Sequence, residues 1–171
     1  MNPITSPIRL RAIEPEDLDA LYEIENDTSL WKSGVTNVPY SRYLLHQYVA
    51  TQAGDIYTDK QLRLMMENRQ GDVVGIADLT SFDPRHARAE VGVVVKHAHR
   101  KQGYATAALK SLIDYARHSI HLKQIYAVIA MDNEASFRLF RKLDFIQGAI
   151  LEKWLFDGEK YQDARVMQLF L

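Results

Sequence analysis

No cysteine occurs anywhere in the chain. This removes disulfides, thiolate nucleophiles and cysteine-ligated zinc at once, and an intracellular setting is the simpler reading. An excess of charge of either sign is lacking too. Lys and Arg total 21 against 22 Asp and Glu, a formal net charge of -1, so no overall basic field exists to hold nucleic acid or an anionic membrane. No apolar run approaches membrane-spanning length, and residues 1–10 carry two prolines but no signal-peptide core. Low-complexity tracts, internal repeats and Pro-, Gly- or Ser-rich linkers are also missing. These absences predict a cytoplasmic protein with residues 1–171 in one domain, with no nucleic-acid or membrane partner and no metal site.

What is present suffices for one sizeable core: 47% of 171 residues are hydrophobic. Residues 8–12 read as a short strand. Pro15 sits among Glu14, Glu16 and Asp17, where the missing N–H and the negative charges both suit a first helical turn. Leu18, Leu21, Tyr22 and Glu25 continue that helix. A second helix is expected over residues 41–53, after an approach made irregular by Gly34 and Pro39. From Gln61 the pattern turns to strands at 62–67, 73–79 and 89–95, divided by Gly71-Asp72 and Asp83-Pro84. Ala105, Ala108, Leu109, Leu112, Ile113, Ala116 and Ile120 then recur at helical spacing. Residues 124–130 read as a buried strand and 133–143 as a helix with Asn133 at its N-cap. Residues 145–156 and 160–171 form a terminal hairpin around Asp157-Gly158. The expected class is α+β, a mixed, mostly antiparallel sheet flanked by about four helices.

The stretch Arg100-Lys101-Gln102-Gly103-Tyr104-Ala105-Thr106 joins a strand to the strongest helix. A helix N-terminus leaves unpaired N–H donors at the positive end of its dipole, and Gly103 lets an anion approach the backbone closely. A phosphate group suits such a place, although a lone Gly-x-Ala is equally an ordinary tight turn. The P-loop and dinucleotide glycine patterns are both absent.

Arg100, Gly103 and Ala105 match the Arg/Gln-x-x-Gly-x-Gly/Ala loop of the GNAT N-acetyltransferase superfamily, which this sequence resembles. Arg88-Ala89-Glu90, Val93-Val94-Val95, Asn133-Glu134-Ala135-Ser136 and Arg141-Lys142-Leu143-Asp144-Phe145 extend the likeness from about residue 62 to the end of the chain. They look like the bacterial spermidine/spermine acetyltransferases and their ribosomal-protein alanine acetyltransferase relatives. The resemblance implies a single GNAT-like domain in which the fourth and fifth strands splay apart, and a transfer of acetyl from acetyl-CoA (coenzyme A thioester) to a primary amine. It implies that Val93, Val94 and Val95 offer backbone groups to the pantetheine arm, that an N–H near Val94 holds the thioester oxygen, and that residues 100–106 cradle the pyrophosphate. Asn133 and Ser136 would lie beside pantetheine, and Arg141 near the cofactor phosphates; a helix cap and a solvated helix face explain these residues equally well.

A primary amine arrives mostly protonated, so attack on the thioester needs a proton acceptor. Glu90 is the candidate, its plainer alternative being an ion pair with Arg88 or Arg85. The resemblance also implies a tyrosine acid for the leaving thiolate, in a pattern that here reads Asn133, Ser136, Phe140, Asp144 and Phe145. Phe140 has no proton to give, which leaves Tyr126, Tyr104 or water. Asp144, in place of the usual glycine, tolerates a left-handed helix end better than most residues. Acceptor choice would come from residues 14–59, where Glu23, Glu25, Asp27, Asp55 and Asp59 are available. The polyamine enzymes carry glutamates before Pro-Tyr, whereas this chain reads Thr36-Asn37-Val38-Pro39-Tyr40. The acceptor therefore stays open between a polyamine or other small amine and a peptide N-terminus. A non-catalytic coenzyme A binder is the alternative that Phe140 raises, and self-association into a homo-oligomer is left open.

Overall fold

The computed structural model describes residues 6–33 and 38–171, so Gly34, Thr36 and Asn37 lie outside the described residues. One seven-stranded sheet runs in the order β1-β2-β3-β4-β5-β7-β6. Its strands are β1 (Ile8–Arg11), β2 (Leu62–Asn68), β3 (Val73–Asp83), β4 (Arg88–Val95), β5 (Gln124–Ala130), β6 (Ile146–Phe156) and β7 (Tyr161–Phe170). Every pairing is antiparallel except β4 with β5, which bears out the mixed, mostly antiparallel expectation.

Among the described residues five α-helices accompany the sheet where about four were expected: α1 (Leu18–Glu25), α2 (Arg42–Thr51), α3 (Ile56–Asp59), α4 (Tyr104–His118) and α5 (Glu134–Lys142). The addition is α3, a single turn too short to show a hydrophobic period. Asp55 caps it by accepting from the N–H groups of Tyr57 and Thr58, and left-handed Lys60 ends it. The approach to α1 is a 3-10 turn, Pro15–Asp17. There the N–H of Glu14 donates to Asp17 at 2.8 Å, and Arg11 grips the same carboxylate with two bonds of 2.6 and 2.8 Å.

The faces of the sheet follow from alternation along each strand. Ala89 and Val91 of β4, with Val93 and Val95 beside them, pack into the large core beneath Ala108, Leu109, Leu112 and Ala116 of α4 and Phe140 of α5. Val94 turns to the opposite face, where Ile76, Met65 and Ile24 of α1 form a smaller cluster. Even-numbered β4 residues therefore look toward α1, and odd-numbered ones toward α4. Glu90 belongs to the α1 face.

Candidate cofactor cleft and acceptor face

Strands β4 and β5 pair only at Arg88 with Gln124, Ala89 with Ile125 and Glu90 with Tyr126. Beyond that point β4 keeps its antiparallel ladder to β3 as far as Val95 with Gly75, and β5 keeps its ladder to β7 as far as Ala130 with Ala164. Residues 92–95 thus present one strand edge to a wedge that opens toward the ends of both strands. Unpaired N–H and C=O groups on such an edge call for a hydrogen-bonding partner. Val93, Val94 and Val95 lie along it, half-buried.

The loop after β4 continues directly from this edge to α4. Lys101 and Gly103 both have positive φ, 62 and 80 degrees, and alternating left-handed residues turn successive N–H groups into an anion-binding concavity. Gly103 is the N-cap of α4, has no side chain to cap with, and has open space around it. Among the described residues, the N–H groups of Gln102, Gly103, Tyr104, Ala105 and Thr106 find no backbone acceptor. Arg100 is exposed, its Nε donating to the carbonyl of Val95 at 3.2 Å. Lys101 and Gln102 are exposed too, whereas Tyr104 packs against the core.

On the β5 side, Asn133 caps α5 by accepting from the N–H of Ser136 at 3.1 Å. Arg141 is exposed on the last turn of the same helix. Asp144 adopts the expected left-handed conformation, φ 65 degrees, and its N–H bonds the carbonyl of Arg141. Phe140 is not near any proton-transfer geometry. It is 4% exposed and stacks edge-on against Phe145, with ring centroids 4.9 Å apart.

Glu90 and Tyr126 are register partners at the last pair before the strands part, so their side chains emerge together on the α1 face. Burial pushes the Glu90 carboxyl above the ordinary carboxylate range, opposed by a bond from the Val128 N–H. The ion pair that was the plainer reading is not made, because Arg88 bonds Asp83 at 3.3 Å instead. Burial also raises the Tyr126 phenol, helped by the charge of Glu90 and opposed by a hydrogen bond with Ser81. Ser81 reaches that place because β3 bulges between Thr80 and Asp83 and Ser81 takes φ 50 degrees. Gly92, two residues beyond Glu90, would meet nothing within 4 Å if it carried a Cβ, so the space in front of β4 is open there.

The five acids singled out in residues 14–59 are already engaged. Glu23 pairs with Lys96 at 2.6 Å, and Glu25 pairs with Arg63, which also grips Asp78 with bonds of 2.9 and 3.0 Å. Asp27 accepts from the N–H of Ser29, Asp55 caps α3, and Asp59 accepts from the N–H of Ala53. Arg63, which the sequence reading left out, sits 5.8 Å from the Tyr48 ring centroid. Trp31 donates to the carbonyl of Glu25 at 3.2 Å, Tyr40 donates its N–H to Asn26, and Tyr43 is exposed.

Gly75 is the other residue the sequence reading passed over. A Cβ there would collide with the carbonyl oxygen of Val94, so only glycine lets β4 lean across β3 at the open wedge. A single glycine inside a strand pattern was the available signal.

A split parallel pair, an anion-binding helix entry after its first strand and a capped helix after its second define an acyltransferase fold that takes coenzyme A. The chain belongs to the GNAT acetyltransferase family, since the profile described as "Acetyltransferase (GNAT) domain" matches residues 8–146. It is 26% identical over 174 residues to the spermidine N(1)-acetyltransferase of Escherichia coli strain K12, spanning 98% of this chain and 88% of that one. The fold is shared with the crystal structure of spermidine N-acetyltransferase from Vibrio cholerae in complex with CoA and spermine. That match has a TM-score of 0.86 at 24% identity and covers 96% of this chain and 95% of that one. A dodecameric structure of spermidine N-acetyltransferase from Vibrio cholerae matches with a TM-score of 0.82 at 22% identity, over 96% and 94% of the two chains. Among the described residues no helix is long and apolar enough to cross a membrane.

Proposed function

We propose that this chain transfers acetyl from acetyl-CoA to the primary amine of a small molecule, a polyamine being one candidate. The observation that carries the reading is the pair Glu90 and Tyr126, two burial-shifted groups side by side where β4 and β5 part. Acetyl-CoA would supply an activated acyl carbon. The residues present fit it: on the free edge the backbone groups of Val93 and Val95 would bond the pantetheine amides, while the Val94 carbonyl faces Gly75 of β3. The N–H groups of Gln102, Gly103, Tyr104, Ala105 and Thr106, with the exposed side chains of Arg100 and Lys101 beside them, would take the pyrophosphate. Asn133 and Ser136 would flank the arm, and Arg141 would reach the phosphates. Glu90, directly or through a water, would take the proton of the attacking amine as the N–C bond forms and the C–S bond breaks, and Tyr126 would return one to sulfur.

A second reading, a peptide N-terminus as acceptor, is favoured by the acids of residues 14–59. Glu23, Glu25, Asp27, Asp55 and Asp59 are each committed to a partner, so among the described residues none of these five is left free for a polycation. Release of free thiol over a panel of polyamines, other small amines, amino acids and peptides decides between them. Turnover of peptides alone would overturn the first reading. Gly103→Glu places bulk and negative charge among the phosphate donors and should abolish coenzyme A binding in calorimetry; unchanged affinity would overturn the loop assignment.

We also propose that a second copy of the chain covers the β6–β7 ribbon. Ile146, Ile150, Trp154, Phe156, Tyr161 and Phe170 are all at least half exposed on it, and exposed large apolar side chains gathered on one ribbon suit a protein partner. Light scattering showing a monomer at working concentration would overturn this.

A further inference from the structure

Arg165 of β7 is 6% exposed, and its Nε is buried with no hydrogen-bond partner, the one such side-chain atom among the described residues. Its guanidinium lies 4.2 Å from the ring centroid of Phe137 on α5. Nη2 donates to the carbonyl of Met131 at 2.7 Å and reaches Glu134 at 3.3 Å, a carboxylate whose side chain is itself 56% exposed. This placement is costly. A buried cation with an idle donor, beneath the positive end of α5 and paired with a solvated acid, recovers little of its lost hydration.

Its partners show what the placement does. Met131 opens the β5–α5 corner and is tied to β7 twice, its carbonyl by Arg165 and its N–H by the carbonyl of Asp163 at 3.0 Å. The next residues form a tight turn, with the N–H of Glu134 bonding the carbonyl of Asp132 at 3.0 Å and Asn133 at φ -83 and ψ 70 degrees. Asn133 Oδ1 is taken by the N–H of Ser136, which leaves the side-chain NH2 to donate elsewhere. The direction of that NH2 is set by the corner, and the corner is anchored by Arg165.

We propose that Arg165 is a positioning residue for coenzyme A: it locks the β5–α5 corner so that the Asn133 amide meets the cofactor arm. This rests on the cofactor reading given above. A methionine of similar length fills the same space without the stranded cation, so Arg165→Met should melt no lower than the unaltered chain. Its Kd for coenzyme A should nevertheless rise about fivefold, the factor one hydrogen bond is worth. Arg165→Lys, which keeps a donor for Met131, should recover part of that loss.

The deciding measurement is a double-mutant cycle by calorimetry with coenzyme A. Asn133→Ser keeps a good helix cap but removes the NH2. In that background Arg165→Met should weaken binding less than twofold further, because the group it positions is gone. An equal loss in both backgrounds overturns the inference, as does unchanged affinity of Arg165→Met or a Kd for Arg165→Lys no better than that of Arg165→Met. An Arg165→Met chain that fails to fold also overturns it, because it would make the residue a pillar of the core. Failure of the unaltered chain to bind coenzyme A overturns the cofactor reading and this inference with it.

Discussion

Glu90 and Tyr126 meet across the last parallel pair of β4 and β5, and their shifts set a pH dependence. Because burial raises the Glu90 carboxyl, its basic form is lost as pH falls through a value above the ordinary carboxylate near ~4.3. The acid limb of kcat/KM should therefore lie above that range. Glu90→Gln should lower turnover about a hundredfold at neutral pH. The deficit should shrink at high pH, where free amine is plentiful; a ratio that stays flat across the profile rejects Glu90 as base. Tyr126→Phe should cost about tenfold, the low end for an acid, because a thiolate is a tolerable leaving group. An unchanged rate assigns that proton to water. The sequence showed that Phe140 has no proton to give but not where the substitute lies, since Tyr126 joins Glu90 only when the two strands, 36 positions apart in register, pair at that point.

At the scale of elements, the cleft depends on β4 bending away from β5 while holding β3. Gly75 permits this by giving room to the Val94 carbonyl. Gly75→Ala should push β4 back, weaken coenzyme A binding about tenfold or more and lower the melting temperature. These losses correspond to the overpacking cost of roughly 1–3 kcal/mol; normal binding by calorimetry would show that the contact relaxes without moving the cleft. Helix α4 was legible from its spacing alone, because every residue that sets its apolar stripe lies within a few positions of the next. The one-turn α3 was not, because Asp55 and Lys60 define it by hydrogen bonds and backbone angle rather than by period.

The whole molecule is held partly by ion pairs that tie the start of the chain to the sheet. Asp17 is 5% exposed, and hydrogen bonds from Arg11, with one from the Glu14 N–H, hold its carboxyl below the ordinary range against the opposing effect of burial. A depressed carboxylate contributes stability that is present above its unfolded pKa and lost as pH falls through the folded one. Asp17→Asn should lower stability at neutral pH by about 2 kcal/mol and flatten the acid side of the melting profile. An unaltered acid slope would remove Asp17 from that account. The composition had indicated the balance of charges but not their pairing, which joins residues as distant as Arg11 and Glu67 or Glu25 and Arg63.

The sequence by itself determined the order of the elements, the α4 stripe, the glycine at the α4 entry, the left-handed turn at Asp144, and the α5 cap at Asn133. Each is a local preference, written in residues close enough to act on one another before the chain folds. Only the tertiary structure decided that β4 and β5 part after Glu90 and Tyr126, that Phe140 belongs to the core, that Glu23 and Glu25 are already paired, and that Arg165 lies buried beneath α5. These follow from contacts between distant segments, where packing and burial choose the partner.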